Sequence, residues 1–432
     1  MDLSEMIVAM YREKFPVKEF VPGISSVPVS GKVFDEKEIL MMIEAIFEGH
    51  WTDGKYAKKF EKKLANFLGL KFCALTNSGS SANLLALTAL TSFRIPETKR
   101  LKKGDEVITV AAGFPTTINP IILNGLAPVF VDVELGSYNA KLEYIKKAVS
   151  SKTKAVFIAH TLGNPFEVEE LRDFCDEKNL WLIEDNCDAL GSRYGNKFTG
   201  TFGHLSTCSF YPAHHITMGE GGAVLTNDSV LNKIVRSLRD WGRDCECPTG
   251  VDNFCGNRFG WELGDLPVGY DHKYIYSEVG YNLKITDIQA ALGLAQLDKL
   301  PEFISKRKEN FGYLYQALRE FSDYFILPDW NEKADPSWFG FLLTVKATGF
   351  KRDDLLKFLN GRKIGTRLLF AGNVIRQPYF KNYEIRYRIA ENLKNTDEIV
   401  DNTFWIGVYP GLSKEMLDYV ILSFKEFLEK YK

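Results

Sequence analysis

The 432-residue chain reads as an α/β protein: a large lobe on a seven-stranded, mostly parallel sheet flanked by helices, followed by a smaller α+β lobe. Three observations predict this. From Lys71 onward short apolar runs alternate with helical stretches, as in a parallel sheet covered by helices. The length suffices for a substantial core plus a second lobe. The composition, 45% hydrophobic and 25% charged, is that of an ordinary water-soluble protein.

In chain order, residues 1–35 form an N-terminal helical segment whose "MDLSEMIVAMYREKF" is amphipathic. Residues 36–300 form the large lobe. In it "KFCALTNSGSSANLLALTAL" reads strand, polar turn, helix; "DEVITVAAGF", "APVFVDV", "KAVFIAH" and "LWLIEDN" add strands, and "CSFYP" and "GAVLTN" complete the seven. The helical stretch after Tyr281 is interrupted at Pro301. Residues 301–432, ending in the amphipathic "SKEMLDYVILSFKEFLEKYK", form the smaller lobe.

A net charge of −2 provides no basic field for nucleic acid and no acidic tail. No segment approaches the roughly 20 apolar residues of a membrane span, and the N-terminus does not have the form of a signal peptide, so a cytoplasmic protein is expected. Seven cysteines, an odd number, argue for reduced thiols, metal ligands or buried small hydrophobes over a disulfide framework.

"TNSGSSANLLAL" sets Gly79, Ser80 and Ser81 at a strand-to-helix turn, where free N–H groups and the helix dipole favour a phosphate, although such turns are commonly plain caps. Asp185, in "WLIEDNCDALGS", closes an apolar strand at the end where open α/β sheets bind ligands. A carboxylate there suits the pyridinium nitrogen of pyridoxal phosphate; a solvated loop acid is the plain alternative.

Together "TNSGSSAN", "GFPTTIN", "LIEDNCDALGS", "SFYPAHHITMGEGGAV", "GYNLKITDIQAALGLAQLDKL" and "VYPGLSKE" resemble, in order, the DegT/DnrJ/EryC sugar aminotransferase family, which has the fold-type-I architecture of pyridoxal-phosphate enzymes. The resemblance runs from about residue 35 to the end. It implies that Gly79, Ser80, Ser81 and Ser209 hold the cofactor phosphate, Phe114 stacks on the ring and Asp185 pairs with its nitrogen. It implies further that Asn282 reaches the phosphate of a neighbouring subunit in a homodimer. Asp188 stands where the family usually has glutamine, near the ring hydroxyl.

Aligned on "GEGG", His214 falls at the position of the family's cofactor-binding lysine and His215 at the following asparagine. Histidine forms no Schiff base with the cofactor, so the cofactor would be held non-covalently, as pyridoxamine phosphate. The imidazole can still move protons. The change resembles the nucleotide-sugar 3-dehydratases, in which this histidine takes a proton from the cofactor methylene and the C-3 hydroxyl of a 4-keto sugar is expelled. A catalytically dead relative, or histidines satisfied by loop carbonyls, is the competing reading.

"RDCECPTGVDNFCGNRFGWELGD" gathers Cys245, Cys247 and Cys255 in one Gly/Pro/Asp-rich loop, a spacing that suggests a metal without deciding between zinc and iron–sulfur. A fourth ligand is needed; Cys187 is the candidate, and Cys208, in "TCSFY", the substitute. The pattern Cys187-x57-Cys245-x-Cys247-x7-Cys255 resembles the [2Fe–2S] ligand set of the CDP-4-keto-6-deoxyglucose 3-dehydrase branch, with the cluster loop at 243–260. That resemblance implies C-3 deoxygenation of a CDP-4-keto-6-deoxy sugar for surface polysaccharide, with electrons delivered one at a time by a separate flavin and iron–sulfur reductase.

Two alternatives stay open: a glutamate-dependent GDP-4-keto-6-deoxymannose 3-dehydratase without a cluster, and a non-catalytic scaffold binding cofactor and zinc. Cys73 and Cys175 sit in apolar patterns as core residues. His160 ends a strand, where a structural hydrogen bond is favoured over a substrate contact. His50, His204 and His272 receive no role. Arg367, Arg376 and Tyr379 lie where this family closes over the nucleotide-sugar, with solvated surface an equal reading.

Overall fold

The computed structural model describes residues 2–247, 249–347 and 349–431. Met1 and Lys432, at the ends of the expected N-terminal segment and smaller lobe, Pro248 of the 243–260 loop, and Thr348 lie outside the described residues.

Seven runs form the strands β1 (Phe72–Thr76), β2 (Glu106–Val110), β3 (Ala127–Val131), β4 (Thr153–Ala159), β5 (Trp181–Asp185), β6 (Leu205–Ser209) and β7 (Gly222–Thr226). They pair in the order β1-β7-β6-β5-β4-β2-β3, parallel throughout except for β7, which runs antiparallel to both neighbours. Strands such as Ala127–Val131 and Trp181–Asp185 are buried along their whole length, because helices cover both faces.

The sheet has an eighth strand that the sequence did not signal. Arg388–Ile389 adds in parallel to β3 from the C-terminal part of the chain. Two residues are too few for a hydrophobic pattern; what holds the edge is the Arg388 guanidinium, which reaches Glu106 Oε2 at 2.7 Å and the Ala148 carbonyl at 2.6 Å.

The expected break at Pro301 is absent, and one helix runs from Asp287 to Leu318. Proline removes one helical hydrogen bond, but Leu297, Leu300 and Phe303 around it are buried in the large-lobe core, while Phe311, Leu314 and Leu318 further on pack into the second core. Burial on both sides outweighs the local defect.

The N-terminal segment is helical only over Leu3–Lys14, where Asp2 and Glu5 form a capping box. Its later part is non-helical, with a turn in which the Ser25 N–H donates to the Val21 carbonyl at 2.8 Å, and Val27 bridges to Ile364. The C-terminal part builds an antiparallel sheet from Phe325–Ile326, Gly340–Val345 and Thr403–Gly407, packed against helices Arg352–Gly361 and Lys414–Leu428. No helix among the described residues is long and apolar enough to cross a membrane.

Candidate functional site

The carboxyl ends of β5 and β6 and the amino end of helix Gly79–Ala89 meet at a cavity of about 710 Å³. Its wall includes Ser78, Gly79, Ser80, Phe114, Asp185, Cys187, Asp188, Ser209 and His214, and it contains no lysine among the described residues. Close backbone approach explains two glycines. A Cβ on Gly79 would lie 2.4 Å from Ser209 Cβ, and one on Gly222 would lie 2.3 Å from the Ser78 carbonyl oxygen. The helix amino terminus is thereby pressed onto the strand ends, with its N–H groups at the cavity.

Asp185 is 5% exposed. Its Oδ2 accepts from Asn83 Nδ2 (2.8 Å) and Thr117 Oγ1 (2.6 Å), and its Oδ1 accepts from the Cys187 N–H (3.1 Å). Three neutral donors fix the carboxylate without neutralising it, which suits a cationic ring nitrogen. Thr207 Oγ1 in turn holds Asn83 Oδ1 at 2.6 Å.

His214 sits between aromatic and acidic neighbours. Its ring lies 5.3 Å from Phe339, and its Nδ1 is 3.3 Å from Asp188 Oδ1. That nitrogen is buried and makes no aligned hydrogen bond. The His214 carbonyl accepts from Arg307 Nη2 at 3.2 Å; burial pulls this guanidinium below its ordinary pKa, opposed by Asp188. An imidazole so positioned can accept and return a proton inside the cavity.

Of the residues expected at the cofactor, Gly79, Ser80, Phe114, Asp185, Asp188, Ser209 and His214 are brought together. Ser81 is not on the wall: its side chain turns to Ser78 Oγ at 3.0 Å, and Ser78, the helix N-cap, lines the cavity in its place. Asn282 is exposed and bridges to Asp240, away from this cavity. Arg367 lines the cavity; Arg376 pairs with Asp397 at 3.5 Å beside a different hollow, and Tyr379 also lies off the wall.

His215 and His160 are structural. His215 Nε2 meets the Ser337 carbonyl at 2.7 Å, and burial holds its pKa well below the ordinary value. His160 Nε2 meets Glu184 Oε2 at 2.9 Å and stacks on Phe166. Asn83, Thr117, Phe339 and Trp405 are site residues that the sequence did not nominate; the first two lie a few residues inside helices Gly79–Ala89 and Pro115–Leu123, where only the fold aims them at Asp185.

The cysteines divide. Cys245, Cys247 and Cys255 gather around His272, which the sequence had assigned no role: Cys245 Sγ lies 3.2 Å from its Nε2, Cys247 Sγ 3.8 Å, and Cys255 Sγ 3.7 Å. Burial pushes the Cys245 thiol up to about 11. For Cys247 burial acts the same way, but N–H groups of Cys255 and Phe254 and the Cys245 thiol outweigh it and hold the pKa below its ordinary value. Three sulfurs and an imidazole form a donor set suited to a thiophilic metal centre. Cys187 instead lines the cofactor cavity, where burial, then Asp185, raises its thiol pKa well above the ordinary value. Cys208 is buried in the core near Asn186 and joins neither group.

A β7-inverted parallel sheet with a cavity at its carboxyl ends is the fold of the pyridoxal-phosphate-dependent aminotransferases. Within that class the chain belongs to the DegT/DnrJ/EryC1/StrS aminotransferase family, whose model matches residues 33–425. It is 58% identical over 426 residues to the lipopolysaccharide biosynthesis protein RfbH of Salmonella typhimurium, covering 98% of this chain and 97% of that one. It is 53% identical to dTDP-4-dehydro-2,6-dideoxy-D-glucose 3-dehydratase of Saccharopolyspora spinosa, covering 99% and 93%. Among solved structures, the Escherichia coli GDP-4-keto-6-deoxy-D-mannose-3-dehydratase with bound hydrated PLP superposes with a TM-score of 0.82 at 30% identity, covering 92% and 98%.

Proposed function

We propose that this chain removes the C-3 hydroxyl of a nucleotide-linked 4-keto-6-deoxy hexose, CDP-4-keto-6-deoxyglucose in the fuller reading, in dideoxy-sugar synthesis for surface polysaccharide. The observation that carries the proposal is His214 in a cavity whose described wall has a phosphate-ready helix end and a clamped aspartate but no lysine. Pyridoxamine phosphate, when bound, supplies an amine to capture the 4-keto carbonyl and a ring to accept electrons. The helix end at Gly79 and Ser80, with Ser209, would bind its phosphate. Asp185 would keep the ring nitrogen protonated, and Phe114 would cover the ring face. Asp188 would lie near the ring hydroxyl.

His214 would move the proton whose removal drives the C-3 hydroxyl out, and the lack of a lysine disfavours ordinary transamination. The deoxygenation balances as one sugar, two electrons and two protons giving the 3-deoxy ketone and water. A [2Fe–2S] centre on the cysteine loop would pass those electrons singly from a flavin and iron–sulfur reductase. A cytoplasmic homodimer, with Asn282 serving the neighbouring subunit's cofactor, completes the reading.

The 3-dehydratase at 53% identity supports dehydration chemistry. A second reading, glutamate-driven dehydration of GDP-4-keto-6-deoxymannose, is favoured by the likeness to the Escherichia coli structure; the cysteine group argues against it. The test is anaerobic incubation with each nucleotide sugar, with either a one-electron donor or glutamate, and mass analysis of the products. A 3-deoxy product that requires the electron donor is expected. A product formed with glutamate alone would leave the second reading, and an aminated sugar would overturn both.

A further inference from the structure

We infer that the cluster on the cysteine-rich loop is built between two copies of the chain, from Cys245, Cys247 and Cys255 of one subunit and Cys187 of the partner subunit. The inference rests on the redox reading above and deepens it, naming how the fourth ligand reaches the site.

A [2Fe–2S] centre takes four thiolates, and the loop gathers three. Cys245 Sγ and Cys247 Sγ lie 3.2 Å and 3.8 Å from His272 Nε2, and Cys255 Sγ lies 3.7 Å from it, so the imidazole sits among the sulfurs as their hydrogen-bond partner. Of the other thiols, Cys73, Cys175 and Cys208 are closed into the core, each at 3% exposure or less. Cys187 alone is open, on the wall of the cofactor cavity.

That cavity is out of reach of the loop on the same chain. The loop's root is tied down beyond the far end of helix Gly79–Ala89: Asp244 pairs with Arg94, and Glu278 accepts from Ser92, whereas the helix's first residue lines the cavity. Eleven residues make this helix about 16 Å long. Glu246, between the first two cysteines of the loop, is held at 3.0 Å by Lys233 of helix Ser229–Arg239. The root has no slack either. Gly242 takes a φ of +80°, and a Cβ there would lie 1.9 Å from the Glu278 carbonyl oxygen.

A second copy removes the mismatch. Phe254, Phe259, Val268 and Val279, on and beside the loop, leave apolar surface uncovered on one chain. Asn282, at the loop's exit, is exposed as well, and it is the residue proposed above to serve the neighbour's cofactor. A loop that follows Asn282 to that cavity meets the partner's Cys187 there, and an isologous pairing makes two such sites. Electrons taken up on one subunit's loop then enter the cofactor site of the other.

The test uses full-length chains reconstituted anaerobically with iron and sulfide, as mixed dimers with Cys187→Ala on one subunit and Cys255→Ala on the other, isolated by two affinity tags. Cys255 is exposed, so its truncation leaves the fold intact; Cys245→Ala repeats the test at a second ligand. Each variant alone should hold little or no cluster. The mixed dimer has one complete ligand set only if the ligands come from both subunits, and should recover half the wild-type iron, sulfide and paramagnetic signal of the reduced cluster. A mixed dimer as empty as its parents would put all four ligands on one chain and overturn the inference. So would a cluster kept in Cys187→Ala alone or carried by a monomeric wild type; each of these results leaves the redox reading standing. A wild type that takes up no iron and sulfide would overturn both.

Discussion

The cofactor cavity and the cysteine loop solve the same problem, holding reactive groups in place, by opposite means. The cavity is made at the ends of buried strands. Asp185 is fixed by Asn83 and Thr117, and the backbones of helix and strand approach so closely that glycine is required at positions 79 and 222. The loop from Asp244 to Ile275 has no strand or α-helix among its described residues, and exposed Phe254, Phe259 and Val268 contribute no core. Its one fully buried histidine is its anchor. A site of the first kind is preorganised by the fold; one of the second kind would draw order from a metal, if it takes up the one proposed for it.

The sharpest way to test this contrast is His214→Asn. It should lower deoxygenation by about a thousandfold or more while iron content and cofactor binding persist, because it removes the proton-moving group from a cavity that stays built. Turnover near wild type would remove His214 from the chemistry. Asp185→Ala should cost roughly a hundredfold and release the cofactor on dialysis, since Asn83 and Thr117 then face an empty position; unpaired buried donors also cost about 1–3 kcal/mol of stability.

Metal removal by a chelator should separate the two regions directly. Amide exchange followed by mass spectrometry is expected to accelerate at least tenfold in 244–275 and to stay unchanged in β5 and β6. Equal acceleration in both would mean that the cavity too depends on the metal. Gly79→Ala should weaken pyridoxamine phosphate binding several-fold, because the new Cβ forces the helix end away from Ser209; titration of the cofactor's absorbance measures it.

The smallest effect concerns pH. Burial holds His204 down to about 4 in the folded chain against an ordinary 6.5, and its Nδ1 accepts the Leu182 N–H at 3.0 Å, which requires a neutral ring. Between those pH values the unfolded chain binds the extra proton, so stability falls as pH drops below about 6.5, by up to about 3 kcal/mol from this residue. Thermal melting from pH 7 to 5 should fall in the wild type and less steeply in His204→Gln; equal slopes would acquit this histidine.

The seven main strands were legible because each is a buried apolar run closed by a turn. The Arg388–Ile389 edge was not, because two residues held by an ion pair have no periodicity. The helix through Pro301 misled for a related reason: local propensity signals a break, and only packing of Leu297, Leu300 and Phe303 overrules it.

Sequence alone determined the α/β class, the family, the missing lysine at His214 and the gathering of Cys245, Cys247 and Cys255, because these are properties of residue type and near spacing. Tertiary structure decided which distant groups meet. It turned Ser81 toward Ser78 and put Ser78 on the cavity wall, aimed Asn83 and Thr117 at Asp185, kept Cys187 beside the cofactor cavity and carried His272 into the sulfurs. Chain separation says nothing of such meetings; the close packing that buries the apolar faces fixes them.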